Sequence, residues 1–244
     1  MCIRDRQSRA TPDQSHAVKD NIVAIRHRLE QALASAGRSA DSAAVLAVSK
    51  TKPAAMLREA FDVGQRLFGE NYLQEALEKQ QALADLEEIE WHYIGALQSN
   101  KTRDVAEHFS WVHTVDREKI ARRLSEARPT SMDALNVCLQ VNISRESSKS
   151  GVMPEALPAL AEQVLALPGL RLRGLMAIPA ASDDPAQQRR PHAALRELFE
   201  ELARRYPEAS LDTLSMGMSG DMEAAIDEGA TLVRLGTAIF GSRD

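Results

Sequence analysis

Apolar positions fall into short continuous runs alternating with stretches whose apolar residues recur at helical spacing. The first run, Ala43-Ala44-Val45-Leu46-Ala47-Val48, stops at Ser49-Lys50-Thr51-Lys52-Pro53. Bounded by turn residues, it reads as a strand buried on both faces, as in parallel sheets. A helix over 16–36, with Ile22, Ile25, Leu29, Ala32 and Ala36 on one stripe and Gly37 as its stop, precedes it and is expected to pack outside. Further strands are expected at 66–72, 91–95, 111–115, 135–143, 170–178, 211–216 and 232–235. Helices are expected between them, among them 74–86 with Leu73, Ala76, Leu77 and Leu83 inward, and 221–228. Eight strands alternating with helices, joined by short connections, predict an α/β chain: a single (β/α)8 TIM barrel with an extra N-terminal helix.

Composition adds limits. The 244 residues suit one such barrel, and 44% are hydrophobic with few aromatics. A net charge of −5 argues against a general nucleic-acid binder while allowing a local positive pocket. The two cysteines, Cys2 and Cys138, form no disulfide framework, which implies a reducing cytoplasmic setting. Neither a membrane span nor a signal peptide is visible. Residues 1–15 read as a disordered or artefactual leader and 16–244 as one domain.

Lys50 ends the first apolar run and shares side-chain parity with Leu46 and Val48. It either reaches water or presents a desolvated amine at the carboxyl end of a barrel strand, where such an amine condenses with an aldehyde. Lys52 shares that parity one pleat further out and is its rival. Two small-residue loops follow strands seven and eight: Ser215-Met216-Gly217-Met218-Ser219-Gly220-Asp221 and Val233-Arg234-Leu235-Gly236-Thr237. Barrels commonly hold phosphate at these loops. Ser219 is expected to cap the helix after the first, and Thr237 to open a helix in the second. Arg234 lies inside an apolar strand and needs an acceptor: a carboxylate on a neighbouring strand, or a ring nitrogen of a cofactor. Amine, phosphate loops and arginine together describe a pyridoxal phosphate (PLP) pocket.

Ala47-Val48-Ser49-Lys50-Thr51-Lys52-Pro53, Phe68-Gly69-Glu70-Asn71-Tyr72, Trp91-His92-Tyr93-Ile94-Gly95 and Leu97-Gln98-Ser99-Asn100-Lys101 resemble motifs of the pyridoxal phosphate homeostasis protein family. So do Ser148-Lys149-Ser150-Gly151, Gly174-Leu175-Met176-Ala177-Ile178-Pro179, and the stretches around Ser219 and Arg234. The resemblance implies a fold like the N-terminal barrel of alanine racemase. It makes Lys50 the aldimine lysine, gives the phosphate to Ser219, Gly236 and Thr237, and places Arg234 at the pyridine nitrogen with Asn71 near the ring. It further implies a cofactor carrier in PLP homeostasis without established turnover, exchanging with free amino acids or handing PLP to apoenzymes. Ala96 departs from the proline usual in the family, which is expected to loosen one loop only.

A permanently charged arginine disfavours protonation of the ring nitrogen and weakens the electron sink. Racemases with this arginine add an acid/base group from a second domain. The chain length leaves no room for one, so a non-enzymatic, monomeric carrier is expected. Competing readings are a PLP-dependent racemase, a class I aldolase-like barrel and a protein-interaction barrel with a vestigial site. His92 and His113 lack metal-ligand spacing and read as structural, and Lys101 and Lys149 as solvated loop lysines.

Overall fold

Each apolar run becomes one stave of a parallel barrel. The structure is a computed structural model describing residues 14–209 and 211–242, so the expected leader falls, except for its last two positions, outside the described residues. The strands are β1 (Ala44–Val48), β2 (Leu67–Glu70), β3 (Glu90–Tyr93), β4 (Trp111–Val115), β5 (Leu135–Gln140), β6 (Leu170–Met176), β7 (Thr213–Ser215) and β8 (Leu232–Leu235). They pair in chain order, and β8 closes on β1. Outside lie α1 (Gln14–Ser35), α2 (Ala54–Asp62), α3 (Leu73–Ala82), α4 (Thr102–His108), α5 (Glu118–Ala127), α6 (Leu157–Leu165), α7 (Pro185–Arg205) and α8 (Met222–Asp227). A last short helix, α9 (Thr237–Phe240), follows β8.

Several strands end earlier than the apolar pattern predicts. Ile94 and Ile178 lie past their strands and line a cavity at the barrel's upper mouth, so apolar character outlasts the hydrogen-bond ladder. A second departure is in α3, where Lys79 is buried beside Ala76 and Leu83 while Leu77 is only half-buried.

In-register neighbours of a parallel pair share a face. Leu46 pairs with Arg234, Gly69 with His92, His92 with Trp111, Met176 with Ser215, and Ser215 with Leu232. This inward set is unusually polar: His92, His113, Ser215 and Arg234 are all buried. The other face packs on the helices through residues such as Val45, Ala47 and Phe68.

α1 seats on α8 and α9, beneath the loops that follow β7 and β8. Val18, Ile22, Ile25, Leu29 and Leu33 form its buried stripe. Asn21 donates to the Ile239 carbonyl (2.9 Å), and Arg28 to the Ser219 carbonyl (2.8 Å) and to Glu223 (2.6 Å). Among the described residues no helix is long and apolar enough to cross a membrane.

Candidate cofactor pocket

β1 ends at Val48, and the turn carrying Lys50 is clamped from behind. The Ser49 amide donates to the Gly69 carbonyl (3.0 Å), and its hydroxyl to Glu70 Oε1 (2.7 Å). Lys79 Nζ, reaching in from α3, donates to the Ser49 carbonyl (2.6 Å) and pairs with Glu70 and Glu75 (2.8 Å each). Glu75 in turn accepts the Thr51 amide (2.5 Å). Burial holds the Glu70 carboxyl above its ordinary value, with Lys79 opposing. Thr51 has φ +66°, a left-handed conformation that costs a β-branched residue free energy and persists where the surroundings enforce it. Lys50 thus sits, half-buried, between two tethered residues.

That left-handed step also breaks the pleat on which the rivalry of Lys52 rested. Lys52 Nζ donates to the Ser242 carbonyl (2.9 Å), away from the cavity that Lys50 lines.

The cavity has a volume of about 340 Å³. Lys50, Asn71, Ser219, Arg234, Gly236 and Thr237 all line it, together with apolar walls from Val48, Ile94, Met176, Ile178 and Met218. The walls were not singled out from sequence, although their motifs border the polar residues. Lys101 ends a 3-10 turn (Ser99–Lys101) and Lys149 pairs with Glu146 (3.1 Å); neither lines the cavity.

Of the two acceptors expected for Arg234, the carboxylate on a neighbouring strand is not the one it meets. Its Nη1 donates to Ser215 Oγ and its Nη2 to the Ala177 carbonyl (2.8 Å each), and among the described residues it has no carboxylate partner. Burial pushes its pKa down to about 10, with the charge of Asp221 opposing. A guanidinium has five N–H donors, so donors remain beyond these two bonds. Asn71 Oδ1 is buried with no hydrogen-bond partner. Gly95 permits this placement, because a Cβ there would overlap the Asn71 carbonyl.

The loop after β7 turns at Gly217 (φ +97°). Asp221, not Ser219, occupies the N-cap position of α8: its Oδ1 accepts the Met218 amide (2.7 Å) and its Oδ2 bonds His192 Nε2 (2.8 Å). Burial raises the Asp221 pKa, but these bonds and the neighbouring positive charges bring it below the ordinary value. Ser219 precedes the cap by two residues and lines the cavity. After β8, Gly236 is the N-cap of α9 and Thr237 its first residue, as expected.

The donor set fits a planar heteroaromatic aldehyde phosphate. It offers one amine, a buried guanidinium with N–H groups to spare, apolar walls, an orphaned amide oxygen, and two loops supplying hydroxyls and helix-start N–H groups.

Residues 21–244 match the family model of the alanine racemase N-terminal domain. A pyridoxal phosphate homeostasis protein of Pseudomonas aeruginosa is 60% identical over 227 residues, covering 93% of this chain and 96% of that protein. Among solved structures, PipY of Synechococcus elongatus is 39% identical and covers 92% of this chain and 100% of its own. Its TM-scores are 0.83 without PLP and 0.81 with PLP bound. The alanine racemase of Corynebacterium glutamicum shares the fold at 19% identity (TM-score 0.68), covering 92% of this chain and 60% of the racemase. The chain therefore belongs to the alanine racemase N-terminal domain family and, within it, to the pyridoxal phosphate homeostasis proteins.

Proposed function

We propose that this chain binds PLP in the upper-mouth cavity and serves intracellular PLP homeostasis as a reversible carrier, with residues 16–244 as the binding unit. The observation that carries the reading is the convergence of Lys50, Arg234 and the two small-residue loops on one cavity. When bound, PLP supplies an aldehyde and, on its ring, an electron sink. Lys50 would be the amine that holds the aldehyde. Arg234 donates to the ring nitrogen, Asn71 accepts beside the ring, and Ser219, Gly236 and Thr237 hold the phosphate. Free amino acids, or a lysine of a PLP-dependent apoenzyme, would take the cofactor over by amine exchange, the incoming amine replacing Lys50 on the aldehyde carbon as the Lys50 amine is freed.

The cavity lining favours a carrier over a racemase. Among the described residues, those lining it include no carboxylate, imidazole, phenol or thiol that would serve as a second acid/base on the opposite face of a substrate. A cytoplasmic location, with neither nucleic acid nor membrane as partner, suits the acidic balance. It also suits a Cys138 thiol whose pKa burial pushes up to about 12, leaving it inert. Purified protein incubated with PLP should develop visible absorption that Lys50→Ala abolishes, and should not racemise L- or D-alanine. Steady racemisation, or equal colour in Lys50→Ala, would sink the proposal.

A further inference from the structure

The barrel interior carries an unbroken line of hydrogen bonds from its lower end to the cavity. Glu90, first residue of β3 and half-exposed at the lower mouth, bonds His92 Nε2 (2.8 Å). His92 Nδ1 faces His113 Nε2 (2.8 Å), His113 Nδ1 faces Ser215 Oγ (2.8 Å), and Ser215 Oγ takes Arg234 Nη1 (2.8 Å). His92, His113 and Ser215 are fully buried.

The ends of this line dictate its direction. A guanidinium only donates and an ionised carboxylate only accepts, whereas a hydroxyl and a neutral imidazole each pass on one proton and accept one. With Arg234 donating to Ser215, the buried hydroxyl has His113 Nδ1 before it as acceptor. His113 then carries its proton on Nε2 and gives it to His92 Nδ1, and His92 gives its Nε2 proton to Glu90. The reverse arrangement would put two donors on Ser215 and strand its hydroxyl hydrogen.

We propose that Glu90, His92, His113 and Ser215 form a one-way relay that fixes the Arg234 guanidinium against the cofactor's ring nitrogen, which makes His92 and His113 positioning residues. The relay rests on the PLP reading and deepens it: a line whose donors all point downward accepts no added proton without reversing, so the floor under the ring stays non-acidic. Burial lowers the pKa of both imidazoles, opposed at His92 by Glu90. The other charged or titratable groups facing the line act from the sides. Arg173, held by Asp212 (2.8 Å), stacks 4.5 Å over Trp111, which itself stacks on His92. Cys138 lies on the inner wall, and Asp221 acts on Arg234.

Two measurements test this. In apoprotein labelled with 15N-histidine, long-range proton–nitrogen spectra should show both rings neutral, protonated at Nε2 and bare at Nδ1, unchanged from about pH 6 to 8. A proton on Nδ1 of either ring, or an imidazolium in that interval, overturns the relay. In PLP-loaded protein, His113→Phe should move the pH midpoint of the visible band by about one unit and Glu90→Gln by about half as much in the same direction. The exposed-site control His108→Phe should not move it. Wild-type midpoints in loaded His113→Phe and Glu90→Gln contradict it. If His113→Phe fails to fold, Glu90→Gln at the half-exposed end gives the same readout. Wild-type protein that takes up no PLP would defeat the carrier function while leaving the apoprotein measurement to judge the relay.

Discussion

Ser215 holds more of the site than its size implies. It accepts from Arg234 and faces His113, and it has no exposure. Ser215→Ala leaves a buried donor unpaired and should cost about 1–3 kcal/mol in chemical denaturation. A wild-type midpoint would show that Arg234 is held by other means. Asp221 gives a pH prediction. Its folded-state pKa lies below the ordinary 3.8, so its stabilising contribution is complete above that value and disappears as pH falls through the folded-state value. Wild type should therefore exceed Asp221→Asn in stability by about 1–2 kcal/mol at neutral pH, and the gap should close in acid below 3.8. A gap independent of pH would remove the carboxylate from the explanation. Lys50 and Arg234 were legible in the sequence because each is a charge placed where an apolar run predicts none. Ser215 and the place of Asp221 were not, because Ser219-Gly220-Asp221 offers two residues for the helix start and only the fold chooses between them, turning the Asp221 carboxylate to the Met218 amide and His192.

At the scale of elements, the Lys50 turn depends on α3. Lys79→Met would leave Glu70 buried without its cation and the Ser49 carbonyl without its donor, a loss of about 3–5 kcal/mol. Adding Glu70→Leu should recover most of that stability, since well-packed apolar residues replace buried ion pairs at little cost. If the double variant is no more stable than the single one, the pair is not the source of the effect. The sequence pattern placed the strands and helices well, since short continuous apolar runs mark strands buried on both faces and helical spacing marks one buried stripe. It failed where burial serves something other than the hydrogen-bond ladder. Ile94, buried, continues the apolar pattern past β3 into the cavity wall, and Lys79 occupies an inward position that lysine rarely takes.

Across the whole molecule, the helix preceding the barrel braces the loops proposed to hold phosphate. Arg28 ties α1 both to the Ser219 carbonyl and to Glu223. Both side chains are partly exposed, so Arg28→Ala should cost under about 1 kcal/mol of stability while weakening PLP binding several-fold by loosening the Ser219 loop. Unchanged affinity would make α1 mere packing. The barrel itself followed from counting eight alternations, but the seating of α1 on α8 and α9 did not, because an apolar stripe states that a face is buried and not against what. The central claim is that one amine captures the cofactor. Reducing PLP-loaded protein with borohydride and mapping its peptides by mass should place the pyridoxyl phosphate adduct on Lys50; an adduct on Lys52, Lys101 or Lys149 instead, or none at all, would contradict it.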